Sequence, residues 1–199
     1  MSQRLRIALA DDEPAALRDF GETVAELGHE IVCLATTGRE LVRKCRELFP
    51  DLVITDIKMP DMDGLEAAAE IRRDHAVPFV LVSAHHDREF IERALENHVL
   101  AYLNKPVKQA DLETAIVLVM RRFKEFEVLR KDADDLRQAL ADRKIIERAK
   151  GILMKQANLD EEQAFRRLQD VASTEHQKMV QIAQAILTAQ EVVNPSKKA

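Results

Sequence analysis

Four compact apolar runs, each closing on a residue that can do chemistry, limit what this chain can fold into. Residues 5–10 lead into Asp11-Asp12, 52–55 into Asp56, 79–82 into Ser83, and 101–103 into Lys105-Pro106. Runs this short and this apolar read as strands buried on both faces. Between them lie helix-patterned stretches at 14–27, 39–48, 65–74 and 88–96, with another from Asp111 onward. Turn signals punctuate the series at Gly28, Gly38, Pro50-Asp51, Pro60 to Gly64 and Pro78. With a further strand expected around Cys33, strand–helix alternation through five strands predicts an α/β, doubly wound parallel sheet. In such a sheet the strand C-terminal ends share one edge, where ligands bind. The chemistry-bearing residues should therefore converge there.

A pocket holding three carboxylates, a hydroxyl and an ammonium suits a divalent cation and a phosphoryl group. Asp56 is the candidate nucleophile, since a carboxylate attacking phosphorus forms an aspartyl phosphate. Mg2+ held by Asp11 and Asp12, with Asp56 and one backbone carbonyl, would cancel the repulsion felt by an arriving phosphoryl anion. Lys105 supplies fixed positive charge on the other side, and Ser83 can donate to a phosphoryl oxygen. The Lys105-Pro106 bond is a candidate cis peptide.

The composition bounds the partners. At 46% hydrophobic and 33% charged, the 199 residues can bury a core and stay in water. No apolar stretch approaches the about 20 residues of a membrane span. The first residues lack a signal-peptide pattern, so a cytoplasmic location is expected. Cys33 and Cys45 lack metal-ligand spacing and read as buried thiols. Residues 1–136 carry 19 Lys/Arg against 27 Asp/Glu, whereas 137–190 carry 9 against 7. Any nucleic-acid contact is thus expected in the C-terminal part.

Over residues 4–121, Asp11-Asp12, Asp56 followed by Met59-Pro60-Asp61-Met62-Asp63-Gly64, Ser83-Ala84 and Lys105-Pro106 together resemble the receiver domain of two-component response regulators. The resemblance implies a flavodoxin-like strand order 2-1-3-4-5 and Asp56 as phosphoacceptor. It implies Mg2+ on Asp11, Asp12 and the Lys58 carbonyl, and a switch formed by Ser83 and Tyr102. None of the six histidines sits in a phosphotransfer helix, so a separate sensor histidine kinase is the expected partner.

After Pro106 the strand signal ends. No proline follows until Pro195, and the only glycine in between is Gly151. Phe126, Leu129, Ala133, Leu136 and Leu140 recur at 3-4-3-4 spacing, which is two heptads of a helix seam. Two readings stay open: an extended helix packing within its own chain, and a homodimer seam closed on phosphorylation. Three helical segments are then expected at 143–156, 161–172 and 175–190, with capping boxes at Asp160/Gln163 and Thr174/Gln177. On the first segment Ile145, Ile146, Ala149, Ile152 and Leu153 share one face. Lys144, Arg148, Gly151 and Lys155 form a stripe opposite, flanked by Arg143 and Lys150. A basic stripe with a glycine at its centre admits a phosphate backbone, although a plain solvated face reads the same way.

The stretch from Lys144 to Met154, with Arg-Ala-Lys-Gly-Ile-Leu-Met at its core, resembles the ANTAR family of RNA-binding antitermination domains over 137–190. So does the stretch from Asp160 to Leu168 together with Ala172. The resemblance implies binding to stem-loop RNA that blocks a terminator hairpin. It marks Ala149, Lys150 and Gly151 as signature positions and Lys178 as a basic contact. The organisation expected is a receiver at 1–121, a helical linker at 122–142, a three-helix RNA-binding unit at 143–190 and a flexible tail at 191–199. A signalling adaptor whose tail binds protein is the alternative. A haloacid-type phosphatase would need an acid where Lys58 stands, so the chain is read as a regulator rather than an enzyme.

Overall fold

The structure, a computed structural model, describes residues 4–84 and 101–193. The helix expected at 88–96 lies outside the described residues. Strands β1 (Arg6–Ala10), β2 (Glu30–Ala35), β3 (Leu52–Asp56), β4 (Phe79–Ser83) and β5 (Ala101–Asn104) form one parallel sheet in the order β2-β1-β3-β4-β5. This is the flavodoxin-like order the resemblance implies.

The strands form because their residues suit two buried faces. Successive side chains of a strand point to opposite sides, and two core layers divide them accordingly. Ile7, Leu9, Leu52, Ile54, Val80 and Val82 pack in one layer, beneath Leu17, Val24, Leu112 and Ile116. Ala8, Ala10, Val53 and Phe79 pack in the other, with Val42, Cys45, Ala68 and Ile71. Each large side chain buried this way contributes about 1.5–3 kcal/mol. The register pairs Ala10 with Thr55, Asp56 with Val82 and Ser83 with Asn104, so the strand ends are level and the site residues share one edge.

Helices α1 (Pro14–Glu26), α2 (Gly38–Leu48) and α3 (Gly64–Asp74) connect the strands. Pro14 opens α1, where a missing N–H costs nothing. The Thr37 side chain accepts from the Glu40 N–H to cap α2, and Asp63 with Glu66 forms a capping box on α3.

Helix α4 (Gln109–Ala157) runs for 49 residues. The stretch expected to begin at Asp111 and the segment expected at 143–156 are therefore one helix, since neither proline nor glycine interrupts residues 107–150. The chain divides into two compact units, 1–127 and 128–199, and α4 contributes to each. In the second unit α4 ends where Asn158 turns left-handed, at φ 52°. Helix α5 (Glu161–Thr174) then starts on the Asp160/Gln163 capping box. Helix α6 (Met179–Val193) begins four residues later than expected. Thr174 does not cap it: the Thr174 hydroxyl donates back to the Asp170 carbonyl. His176 takes a left-handed φ of 52°, and the Gln177 N–H closes on the Ala172 carbonyl, which terminates α5 instead. Ala149, Leu168 and Ala183 lie at the centre of this unit, packed by Ile145, Ile146, Leu153, Met179, Ile182 and Ile186.

Candidate functional site

Asp11 follows β1, Asp56 ends β3, Ser83 ends β4 and Lys105 follows β5. Lys105 Nζ donates to Asp11 Oδ2 at 2.6 Å and to Asp56 Oδ2 at 2.7 Å. The lysine is held in place from its own backbone, because the Lys105 N–H donates to the Ser83 carbonyl at 2.9 Å. The Lys105-Pro106 peptide is cis. Asp56 Oδ1 accepts from the Ile57 N–H at 2.6 Å, so the backbone orients the carboxylate that Lys105 grips from the other oxygen. Asp11 Oδ1 accepts from the Glu13 N–H at 3.0 Å.

Asp11 and Asp56 are buried, at 1% and 8% exposure, while Asp12 is open to solvent. Two buried carboxylates are costly unless paired, and Lys105 provides the pairing. Burial alone would push the Lys105 ammonium down. Its bonds to Asp11 and Asp56 outweigh that and hold its pKa above the ordinary lysine value.

Ligand oxygens of Asp11, Asp12 and Asp56 lie within 4.8 Å of one another. Three carboxylates against one ammonium leave about two negative charges uncompensated, and an all-oxygen donor set suits a hard divalent cation. The residues present fit Mg2+. Ser83, at 1% exposure, sits on the neighbouring strand end. Tyr102, on β5, packs against Ile57, Leu65 and Leu81. His85 and His86 lie outside the described residues.

The residue sequence reasoning missed is Thr55. It is fully buried, and its hydroxyl donates to the Asp56 carbonyl at 2.9 Å. A threonine closing an otherwise aliphatic run, directly before the nucleophile, was the available signal.

In the second unit Lys144, Arg148 and Lys155 are exposed on α4, and Lys178 is exposed immediately before α6. A Cβ on Gly151 would meet nothing within 4 Å. A mid-helix glycine costs up to about 1 kcal/mol against alanine, and no packing among the described residues requires it. Lys150 is placed differently from its neighbours. It is 6% exposed, and its Nζ sits 2.9 Å from carboxylate oxygens of both Glu147 and Glu161. Those two hydrogen bonds, Glu161 first, raise its pKa, and Glu161 is correspondingly lowered. Lys150 thus ties α4 to the start of α5. The sequence carried a hint, since Lys150 stands three residues after Glu147 at the border of the apolar face.

Residues 7–117 match the response regulator receiver domain family, and 134–187 match the ANTAR domain family. The transcriptional regulatory protein PdtaR of Mycobacterium tuberculosis is 38% identical over 182 residues, which span 92% of this chain and 89% of that protein. Among solved structures, the receiver domain of a modulated diguanylate cyclase from Desulfovibrio desulfuricans superposes with a TM-score of 0.58 at 25% identity, over 61% of this chain and 98% of its own. A CheY-like receiver domain protein from Methanospirillum hungatei gives a TM-score of 0.58 at 27% identity, over 62% and 98%.

Proposed function

The chain belongs to the response regulators that join a receiver domain to an ANTAR output domain, and from that premise we propose that phosphorylation of Asp56 controls stem-loop RNA binding. A separate histidine kinase supplies the phosphoryl group. An Asp56 carboxylate oxygen attacks phosphorus, the phosphohistidine N–P bond breaks, an O–P bond forms, and the imidazole leaves. Asp11, Asp12, Asp56 and the Lys58 carbonyl would hold Mg2+, which neutralises charge between carboxylates and phosphoryl oxygens. Lys105 already bonds Asp56 Oδ2 and stays beside the oxygens that acquire the charge. Ser83 donates to the phosphoryl group, and Tyr102 follows it inward.

The observation that carries the receiver half of this reading is the Lys105 bridge between Asp11 and Asp56, with Asp12 beside it on the same sheet edge. The output half rests on the unpacked Gly151 within the Lys144, Arg148 and Lys155 stripe. These cations and Lys178 bind phosphates of the stem, and bare backbone at Gly151 allows close approach. Lys150 contributes by holding α5 against α4. RNA held this way cannot form a terminator hairpin, so transcription continues. Leu129, Leu136 and Leu140, all exposed on α4, pair with a second copy on phosphorylation. The reading makes the protein a cytoplasmic regulator rather than an enzyme; among the described residues no helix is long and apolar enough to cross a membrane.

The test is titration of a tandem stem-loop RNA with the full chain, with and without a small phosphodonor and Mg2+. Tighter binding with phosphodonor supports the reading. Absence of RNA binding despite confirmed Asp56 phosphorylation would turn the output assignment toward a protein partner.

A further inference from the structure

Gly38 stands three residues past the end of β2 and carries no chemistry of its own, yet it meets the loop on which the acidic cluster depends. A Cβ built on Gly38 would stand 2.3 Å from the Met62 carbonyl oxygen, 2.8 Å from Met62 Cβ and 2.9 Å from the Met62 carbonyl carbon. Favourable nonbonded contact between carbons needs about 3.5–4.0 Å. Two of these three atoms are backbone, so no rotamer change relieves the overlap. Gly38 has no left-handed φ; glycine is required there for space.

Met62 belongs to the short loop between Asp56 and α3, residues 57–63, which also carries Lys58. The loop is closed at its far end, where the Gly64 N–H donates to the Ile57 carbonyl at 2.8 Å. A Cβ on Gly64 would fall 2.1 Å from the Asp56 carbonyl oxygen. Within the loop the Met62 N–H donates to the Pro60 carbonyl at 2.8 Å, and Asp61 sits at a left-handed φ of 68°. Met59 and Met62 both pack on the core layer beneath α2 and α3. The loop therefore has little slack, and its outer side rests on the first residue of α2. That residue is itself fixed, because Thr37 caps the helix and the Thr36 N–H donates to Glu40 Oε2 at 3.0 Å.

We propose that Gly38 is a positioning residue for the metal and phosphoryl site, acting through Met62 to set where the 57–63 loop presents the Lys58 carbonyl. The proposal rests on the Mg2+ reading of Asp11, Asp12 and Asp56 given above. To bring the added methyl group even to 3.0 Å the Met62 carbonyl oxygen must retreat by about 0.7 Å, whereas metal–ligand distances hold to about 0.2 Å. Groups that support a ligand without touching the ion typically cost about 10–100-fold in affinity when changed.

The experiment is calorimetric titration of the full chain with MgCl2 for wild type, Gly38→Ala and Gly21→Ala, with thermal melts and amide hydrogen exchange of residues 57–63 alongside. Gly21 lies on α1, and a Cβ there meets only Ile31 Cδ1 at an ordinary 3.4 Å. The expected result is at least about a tenfold weaker Mg2+ affinity and faster loop exchange in Gly38→Ala, with Gly21→Ala matching wild type. Wild-type affinity and loop exchange in a folded Gly38→Ala overturn the inference. If Gly38→Ala shows no cooperative melt, Thr37→Ala loosens the same support without adding an atom. Weaker Mg2+ binding in that variant sustains the proposal, and unchanged binding overturns it. A wild type that binds no Mg2+ removes the metal reading itself and the proposal with it, an outcome distinguishable because it precedes any comparison of variants.

Discussion

Leu136→Ala separates the two roles open to the exposed seam of α4. Leu136 and Leu129 are each 67% exposed, and Leu140 is 61% exposed. Removing three carbons from a side chain that is already mostly in water changes little within one chain, so the unfolding free energy of the dilute protein should hold within about 0.5 kcal/mol. A dimer responds differently. If pairing buries the exposed two-thirds of each Leu136, three lost carbons at about 0.8 kcal/mol apiece remove roughly 1.6 kcal/mol per chain. Both chains carry the change, which makes the loss about 3 kcal/mol per dimer. At 1.4 kcal/mol per decade this weakens the dimer Kd by somewhat more than a hundredfold. Sedimentation equilibrium with and without phosphodonor and Mg2+ measures it. The expected result is a phosphodonor-dependent dimer in wild type and a monomer at the same concentration in Leu136→Ala. An unchanged dimer would refute pairing through this seam, and a large drop in monomer stability would show that the seam packs within its own chain.

Leu168→Ala should instead cost about 2–5 kcal/mol, because Leu168 is 1% exposed at the centre of the second unit. Circular dichroism melts should show loss of that unit's helices, and RNA binding should go with it. Lys144→Ala and Arg148→Ala should each reduce the slope of log affinity against log salt by about one. Lys150→Met, which keeps the buried stem while releasing Glu147 and Glu161, should leave the slope unchanged. A reduced slope in Lys150→Met would return Lys150 to the RNA face. Burial pushes the Cys33 thiol up to about 11 and the Cys45 thiol up to about 12. The unfolded thiols ionise from about 8.5, so the unfolded state releases protons that the folded state keeps, and stability should decline as pH rises from there. Thiol reagents at pH 8 should react slowly until denaturant is added; rapid reaction of the native protein would contradict the burial.

The receiver half was readable because its information is local and periodic. Apolar runs too short for helices, each ending in Asp, Ser or Lys, carry both the sheet and the edge where ligands bind. Asp11, Asp56, Ser83 and Lys105 meet on that edge because level strand ends leave them no alternative. Features that depend on a neighbour distant in sequence were harder to read. Gly38 reads as a turn signal, and its close approach to Met62 exists only once α2 is laid beside the loop. Lys150 reads as one more cation flanking a basic stripe. Its burial depends on Glu161, eleven residues away on the next helix. The start of α6 was misplaced because Thr174 and Gln177 mimic a capping box, whereas left-handed His176 closes α5 there.

The central proposal is that phosphorylation of Asp56 governs RNA binding by the C-terminal unit. The most direct test compares wild type with Asp56→Asn for affinity toward a tandem stem-loop RNA, with Mg2+ present and phosphodonor added or withheld. The account predicts that phosphodonor tightens binding of wild type and leaves Asp56→Asn unaffected. Equal enhancement in both proteins, or none in wild type whose Asp56 is shown to be phosphorylated, would contradict it.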